Sequence, residues 1–319
     1  MAEWLVEEGI GEDRALLIDN GQVLAARHMI HGAPVVGSFY PGQLVSRASG
    51  SVRGTVRTNA DFDVLVDKLP RECTEGSQVL VKLTRAPIAE RGRLKLAQGR
   101  VAERATREET EGEGWSARPV SNFKPGLWEE VWHAASTGRI ELPGGEVLCC
   151  VTPAMTVIDV DGDLRPRDLA LAAIPAIATA LRWFAIGGSV GIDFPTLEAK
   201  ADRVAVDEAL AAALADWPHQ RTAMNGFGFV QLVARLEGPS LLHKFASSRV
   251  GMCARFALRC AERASGHGGA LLLTVHPALK ARLSEGWLAD LARRTGREVR
   301  IETDPGLALE APHAQIVPR

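Results

Sequence analysis

Apolar and polar residues alternate over the first 35 positions, which is the pattern of half-buried β-strands. The strand-like runs EWLVEE, RALLID and QVLAARHMI are separated by the turn segments Gly11-Glu12-Asp13 and Asn20-Gly21. Asn-Gly between two apolar runs is a strong hairpin signal, because both residues readily adopt a positive φ. Residues 1–35 are therefore predicted to form a β-meander that packs with the rest of the fold.

Short strand-like segments, separated by Gly, Pro, Ser and Asn, fill residues 36–100. Closely spaced short strands predict a small barrel or sandwich. This stretch carries 11 Lys or Arg and six Asp or Glu, a local net charge of +5, in a chain whose net charge is −2. A basic module in an otherwise acidic chain fits a surface that faces nucleic acid, although an incidental surface bias would give the same count.

The remaining chain combines helices and strands. Residues 101–125 are charged, rich in Gly and without apolar periodicity, which indicates a linker. Residues 126–248 predict a helix, a hairpin around Pro143-Gly144-Gly145, and two strands joined by a long apolar helix from about 166 to 186. Residues 249–319 begin with a basic helix and predict a small, separate α/β unit. The fold class expected is α/β, with mixed α+β character.

Two strand-like segments share one design, in which an apolar run ends in Asp where the strand should stop. MTVIDV is expected to end at Asp159, and SVGID ends at Asp193. One helix lies between them, so parallel neighbouring strands would bring both carboxylates to one sheet edge. Asp161 lies two residues after Asp159 and thus points to the same face. Converging carboxylates repel one another unless a cation joins them, and oxygen ligands suit Mg²⁺ or Mn²⁺ rather than zinc.

A purely structural role explains these aspartates equally well at this point. Asp159 and Asp193 could simply cap the turns between strand and helix, as Asp often does. Asp163, in the DGD turn, is interpreted as a turn residue rather than a ligand.

Composition and segment lengths favour a cytoplasmic protein with no membrane partner. The longest uncharged apolar run, Leu169 to Leu181, has 13 residues and contains Pro175, whereas a bilayer span needs about 20. The first residues are acidic, unlike a secretory signal. The five cysteines contain no C-x-x-C pair, which indicates reduced thiols and no zinc site.

Three segments, in chain order, resemble the ribonuclease E/G family. GRIELPGGEVLCCVTPAMTVIDVDGD is similar to the family's hairpin and to its strand with a metal-binding Asp, and SVGIDFPTL is similar to the strand with the second such Asp. MNGFGFVQLVARLEGPSL is similar to the segment that follows. More loosely, the start and GSFYPGQLVSR resemble the first strands and an inserted OB-type barrel, and LLLTVHPALKARL through APHAQIV resembles the small C-terminal domain.

The resemblance implies a fold and an activity. The expected fold is a metal-binding α/β catalytic core at 126–248, with an OB-like RNA-binding barrel inserted at 36–100 and a small C-terminal α/β domain at 249–319. Asp159 and Asp193 match the metal-binding aspartates, and Asp161 stands where the family usually has an Asn that orients the site. The implied activity is Mg²⁺-dependent cleavage of single-stranded RNA to 5′-phosphate and 3′-hydroxyl ends.

Several features of the family are missing from this sequence. Between the barrel and the LPGG hairpin, where the family has a subdomain that senses a 5′-monophosphate, only the linker and one helix remain. No C-x-x-C follows Pro239-Ser240-Leu241, so no zinc-linked dimer is expected and the oligomeric state is left open. Gly226 replaces an Arg, and the aromatic residues that hold a base in the barrel are lost or shifted to Phe62.

Three functions follow from these observations. The first is a Mg²⁺-dependent endoribonuclease; the second is a degenerate relative that binds RNA without cleaving it; the third is a hydrolase of small phosphate esters that does not use the barrel. In the first two, phosphate contacts are expected from the basic module. The residues chosen for these contacts are Arg47, Arg53, Arg57, Arg91, Arg93 and Lys95.

Overall fold

The structure, a computed structural model, describes residues 1–90, 92–102 and 117–319. The N-terminal meander is confirmed as three antiparallel strands: β1 Glu3–Glu8, β2 Glu12–Asp19 and β3 Gln22–Ile30. Asn20 and Gly21 have φ values of 49° and 83°, as a two-residue hairpin turn requires. Within the predicted linker, Arg118–Val120 instead forms a strand, β11, that pairs in parallel with β1. Residues 103–116 of that linker lie outside the described residues.

The basic module folds into a closed five-stranded barrel. Its strands are β4 Phe39–Arg47, β5 Gly54–Thr58, β6 Asp63–Val66, β7 Gln78–Arg85 and β10 Ala97–Ala102, in the order β10-β6-β5-β4-β7. Alternate side chains point inward and form a hydrophobic cluster of their own, which includes Leu44, Val56, Val64, Val81 and Leu83. Two further short strands, β8 Ile88–Glu90 and β9 Arg93–Lys95, make a hairpin outside the barrel.

A mixed sheet carries the two aspartate strands. Its described strands are β12 Arg139–Leu142, β13 Gly145–Val151, β14 Thr156–Gly162, β15 Gly188–Asp193, β16 His219–Arg221 and β17 Phe229–Ala234, in the order β12-β13-β14-β15-β17-β16. β14 and β15 pair in parallel, and the other neighbours in this sheet are antiparallel. The parallel pair was expected, because a parallel connection needs a crossover, here a helix.

Helices cover one face of this sheet and surround it. They are α1 Leu127–Thr137, α2 Pro166–Trp183, α3 Lys200–Ala213, α4 Leu241–Glu262, α5 Pro277–Lys280 and α6 Glu285–Thr295. The crossover helix α2 presents Ala173, Ile177 and Leu181 to the core, where all three are fully buried. The sheet contributes Ile158 and Ile192, also fully buried, from the inward-facing positions of β14 and β15. The apolar residues at helical spacing on α2 thus pack against the alternate, inward-facing residues of the strands.

The C-terminal segment forms a small three-stranded sheet. Its strands are β18 Ala270–Val275, β19 Glu298–Thr303 and β20 His313–Val317, in the order β19-β18-β20. The basic helix predicted to begin at 249 instead begins at Leu241, and it is kinked at Ser248 with φ −151° and ψ 61°. Buried residues of this segment belong to the same hydrophobic cluster as the N-terminal strands and the mixed sheet. In the part of the chain described, no helix has the length and apolar character needed to cross a membrane.

A buried ionic cluster joins the N-terminal sheet to α4. Arg14 donates hydrogen bonds to Glu7 at 2.8 Å and to Glu12 at 2.7 Å, and His28 Nε2 lies 2.5 Å from a Glu12 oxygen. Arg259 Nε donates to Glu7 at 3.0 Å from the opposite side. All five side chains are buried. Because each charge has an opposite partner, the cluster is tolerated in the core.

Because of this buried ionic cluster, we expect the folded protein to lose stability in acid. Burial raises the pKa of Glu12, but the attraction and hydrogen bond of His28 and the charge of Arg14 outweigh it and lower the pKa to about 2, from 4.5. The unfolded chain therefore binds more protons than the folded chain below pH 4.5, and the stability present above that pH is lost as the pH falls toward 2. For Glu12 this loss amounts to about 2 kcal/mol at pH 3.

Urea unfolding of Glu12→Gln at pH 6 and pH 3 tests this prediction. The drop in unfolding free energy between the two pH values should be smaller in the variant than in the wild type by about that amount. The matched control is Glu72→Gln, at an exposed position, which should behave like the wild type. An equal drop in all three proteins would contradict the role of Glu12.

Candidate active site

The structure brings Asp159 and Asp193 together. In the parallel pairing of β14 and β15, Asp159 is the direct register partner of Asp193. Neighbouring strands lie about 4.8 Å apart, and side chains of register partners point to the same face. Both side chains are exposed, on the face opposite to the buried Ile158 and Ile192. The predicted parallel pairing of the two strands, with both aspartates on one face, is confirmed.

One detail of the prediction is wrong. β14 does not stop at Asp159 but continues to Gly162. The reason is the neighbouring hairpin strand β13, which pairs with β14 as far as Gly145 opposite Gly162. Asp159 therefore lies inside its strand, whereas Asp193 ends the next one. The site lies on the open face of the sheet beside the end of β15.

Asp161 and Glu146 extend the acidic face. Asp161 is exposed, lies two residues after Asp159 on the same face, and accepts a hydrogen bond from the Gly162 backbone N–H at 2.9 Å. Glu146 is its register partner on β13 and forms an ion pair with Arg139 at 3.4 Å. Glu146 was not among the predicted site residues, although the tight LPGG turn and strand alternation place it on this face.

The donor set fits a hard divalent cation held by few protein ligands. In the described residues, no three His, Cys, Asp or Glu side chains are grouped so that they could together hold a metal. The arrangement is thus a facing pair, Asp159 and Asp193, rather than a closed cage. Magnesium is usually bound by one or two carboxylates, with waters and phosphate oxygens completing its shell. An exposed pair of this kind leaves room for those ligands.

An apolar floor lies next to the pair. Phe229 on β17 is the register partner of Asp193. A Cβ atom on Gly191 would lie 2.5 Å from the Phe229 ring and 3.0 Å from the Met155 sulfur. Gly191 therefore allows both side chains to lie against the sheet, on the same face as the carboxylates. The face combines a charged part with an adjacent apolar part.

The loop before β17 is fixed against the end of β15. Asn225 Oδ1 accepts hydrogen bonds from the N–H groups of Phe227 at 2.9 Å and Phe229 at 3.0 Å. The Phe194 N–H donates to the Gly228 carbonyl at 3.2 Å. Gly228 has φ +88°, and a Cβ there would lie 2.5 Å from the Phe194 carbonyl oxygen. The loop thus needs glycine at this position, and it lies beside the residue that follows Asp193.

The predicted RNA contacts differ in their surroundings. Arg47 is half-buried and donates to the carbonyls of Ser51 and Pro70, both at 2.9 Å, and of Cys73, so its guanidinium binds the barrel's own loops. Arg53 and Arg57 are exposed and form ion pairs with aspartates of the barrel. Arg91 lies outside the described residues. An RNA-contacting role for these residues stays a prediction.

Arg93 and Lys95 lie in the hairpin between the barrel and the mixed sheet. Both form ion pairs with Glu90 in the same hairpin. Arg93 also donates to the Pro153 carbonyl at 3.0 Å, just before β14 begins. These contacts attach the hairpin to the sheet that carries Asp159. Any contact that these two residues make with RNA would lie at the junction between barrel and sheet.

A cleft of about 390 Å³ on the barrel is lined in part by basic side chains. Arg53, Lys68 and Arg100 line it, together with Asp67 and the polar side chains of Thr84 and Gln98. Lys68 and Arg100 were not among the predicted contacts. Sequence spacing could not group these three cations, because they come from distant parts of the module and meet only through the barrel's strand order.

No protein-family model matches the chain, and no curated protein matches it. Membership of the ribonuclease E/G family therefore stays a prediction that depends on the motifs quoted above.

Proposed function

We propose that this protein is a Mg²⁺-dependent endoribonuclease that hydrolyses phosphodiester bonds of single-stranded RNA in the cytoplasm. The observation that carries the proposal is the register pairing of Asp159 with Asp193, exposed on adjacent parallel strands. Two carboxylates at this spacing on an open face favour binding of a hard cation together with a phosphate. The resemblance of these segments to the ribonuclease E/G family supports RNA as the source of that phosphate.

The roles of the residues follow from their charges. Asp159 and Asp193 would hold Mg²⁺ or Mn²⁺, which supplies positive charge to the phosphate oxygens and lowers the pKa of a water. Asp161, two residues along the same face, orients the attacking water by accepting a hydrogen bond from it. The water loses a proton and its oxygen forms a bond to phosphorus as the bond to the 3′-oxygen breaks, and the leaving 3′-oxygen takes up a proton from solvent. The products carry a 5′-phosphate and a 3′-hydroxyl.

The barrel supplies the RNA-binding surface in this proposal. Its third and fifth strands, β6 and β10, pair in parallel, and its first strand, β4, pairs with its fourth, β7. This is the connectivity of an OB-type barrel, a fold that commonly binds single strands. The cleft lined by Arg53, Lys68 and Arg100 offers positive charge for the backbone. The hairpin that contacts Pro153 connects this surface to the acidic sheet.

A direct test uses an unstructured RNA labelled at one end. With Mg²⁺ the protein should cleave it internally, and the new ends should be a 5′-phosphate and a 3′-hydroxyl. Excess EDTA should stop the reaction, and Mn²⁺ should restore it. Cleavage that continues in EDTA, or products with a 2′,3′-cyclic phosphate, would contradict the proposed chemistry.

The second candidate is an RNA-binding protein that does not cleave. The basic cleft on the barrel favours it, since the cleft would bind a phosphate backbone whether or not the sheet holds a metal. Its signature is affinity for single-stranded RNA that falls steeply with salt, with no cleavage in Mg²⁺ or Mn²⁺. RNA binding that is absent at low salt would contradict both candidates.

The chemical group at the 5′ end of the RNA should not affect the rate of cleavage. The described part of the segment between barrel and hairpin forms β11 and α1, and α1 buries Trp128 and Val131 in the core. These elements serve packing, so we expect no recognition of a terminal phosphate there. Two RNAs that differ only in a 5′-monophosphate or a 5′-hydroxyl should be cleaved equally fast. A strong preference for the monophosphate would refute this prediction.

A further inference from the structure

Phe227 is an aromatic side chain presented to solvent. Among the large apolar side chains that are exposed in the described residues, it is the aromatic one, and 79% of it is accessible. Burial of a Phe side chain normally stabilises a fold, and this fold does not use that contribution here. A single exposed apolar side chain needs no explanation by itself, so a role for Phe227 depends on what surrounds it.

The backbone around Phe227 is held in place by several contacts. Asn225 Oδ1 accepts from the Phe227 and Phe229 N–H groups, and Gly228 N–H donates to the Asn225 carbonyl at 3.2 Å. Gly228 is tied in turn to Phe194. A side chain presented from a backbone that is already ordered loses little entropy on binding. The loop therefore presents the ring in advance of any ligand.

The loop that carries Phe227 lies beside the end of β15, the strand that carries Asp193. Phe229, the register partner of Asp193, lies two residues after Phe227. The apolar floor formed by Phe229 and Met155 over Gly191 lies on the same face of the sheet as the pair. A phosphate held at Asp159 and Asp193 would thus have the apolar surface of Phe229 and Met155 on its β17 side, and the loop that carries Phe227 leads directly into that strand.

We propose that Phe227 is a stacking platform for the nucleobase next to the scissile phosphate. This inference rests on the proposed function and names a substrate-positioning residue for it. A nucleobase fits the observations better than a protein partner does, because a single exposed ring beside polar Asn225 offers little of the contiguous apolar area that protein interfaces need. Stacking on a Phe ring uses the flat face that every base has, so it should tolerate all four bases.

Binding is measured separately from cleavage. The probes are fluorescently labelled oligouridylate and oligoadenylate, titrated in EDTA with Asp193→Asn protein, a combination in which cleavage should be blocked. Adding Phe227→Ala to this background should weaken the binding of both probes by about 5- to 100-fold, the usual effect of losing one stacked base. Phe227→Trp should restore the affinity. Val204→Ala, at another exposed apolar position on α3, is the matched control and should change nothing.

Kinetic measurements with the otherwise wild-type protein complete the test. Phe227→Ala should lower kcat/KM by a similar factor, and Phe227→Trp should recover it. If Phe227→Ala binds and cleaves like the wild type, the inference is overturned while the proposed function stands. If the wild type binds RNA through Phe227 but never cleaves it, the proposed nuclease fails and the platform remains. Light scattering that shows Phe227→Ala breaking up an oligomer, with RNA affinity unchanged, would assign the ring to a second copy of the chain and overturn the inference.

Discussion

Asp193→Asn should lower the rate of RNA cleavage by about 100-fold or more, and Asp159→Asn should do the same. Each substitution keeps the size of the side chain and removes one of the two charges that face each other across β14 and β15. Loss of about 3 kcal/mol of metal-dependent stabilisation of the transition state corresponds to that factor. The double variant should be little worse than either single one, because the two carboxylates act as a unit.

Two controls separate loss of charge at the site from general damage. Asp163→Asn makes the same chemical change at an exposed bend just after β14, and it should retain wild-type cleavage. Mg²⁺ should raise the melting temperature of the wild type, since a ligand that binds the folded state stabilises it, and this shift should vanish in Asp193→Asn. Full activity in Asp193→Asn, with an unchanged response to Mg²⁺, would eliminate the proposed metal site.

Glu7→Gln should destabilise the fold by about 3–5 kcal/mol, the usual cost of removing one partner from a buried ion pair. Glu7 binds Arg14 at 2.8 Å and Arg259 at 3.0 Å, and it also accepts the Phe123 N–H at 2.7 Å. A neutral amide cannot balance two buried guanidinium groups. The cost should appear as a lower urea midpoint in unfolding experiments.

Glu8→Gln is the matched control for this experiment. Glu8 is the next residue of the same strand, but its side chain is exposed, so the same substitution should change the unfolding free energy by less than about 0.5 kcal/mol. A similar small effect at Glu7 would show that the buried guanidinium groups find other partners or water.

Local patterns in the sequence were sufficient to predict the turn at Asn20-Gly21 and the strand pairing at the site. The hairpin depends on two adjacent residues, and the Asp159–Asp193 pairing depends on two apolar runs joined by one crossover helix. Both are consequences of neighbouring chain segments. The extension of β14 beyond Asp159 depends on pairing with β13, which overrides the apparent end of the apolar run.

Features that join distant segments were not predictable in this way. Glu7 and Arg259 are 252 positions apart, and in a strand of alternating character Glu7 looks like a solvent-facing residue. Arg47 looked like a free cation for RNA, but the folded loops of the barrel place carbonyl oxygens around its guanidinium. The Phe227 loop carried a local signal, Asn-Gly-Phe-Gly, in which flanking glycines favour an exposed turn.

The barrel's hydrophobic cluster is separate from the cluster that joins the rest of the protein. Substitutions that reshape the barrel's outer surface, or even its interior, therefore leave the packing beneath the acidic sheet untouched. If the protein acts on RNA as proposed, selection could change which RNA sequences or lengths are preferred by altering residues of the barrel alone. Under the proposed function, substrate choice and bond cleavage would be able to evolve at different speeds within one polypeptide.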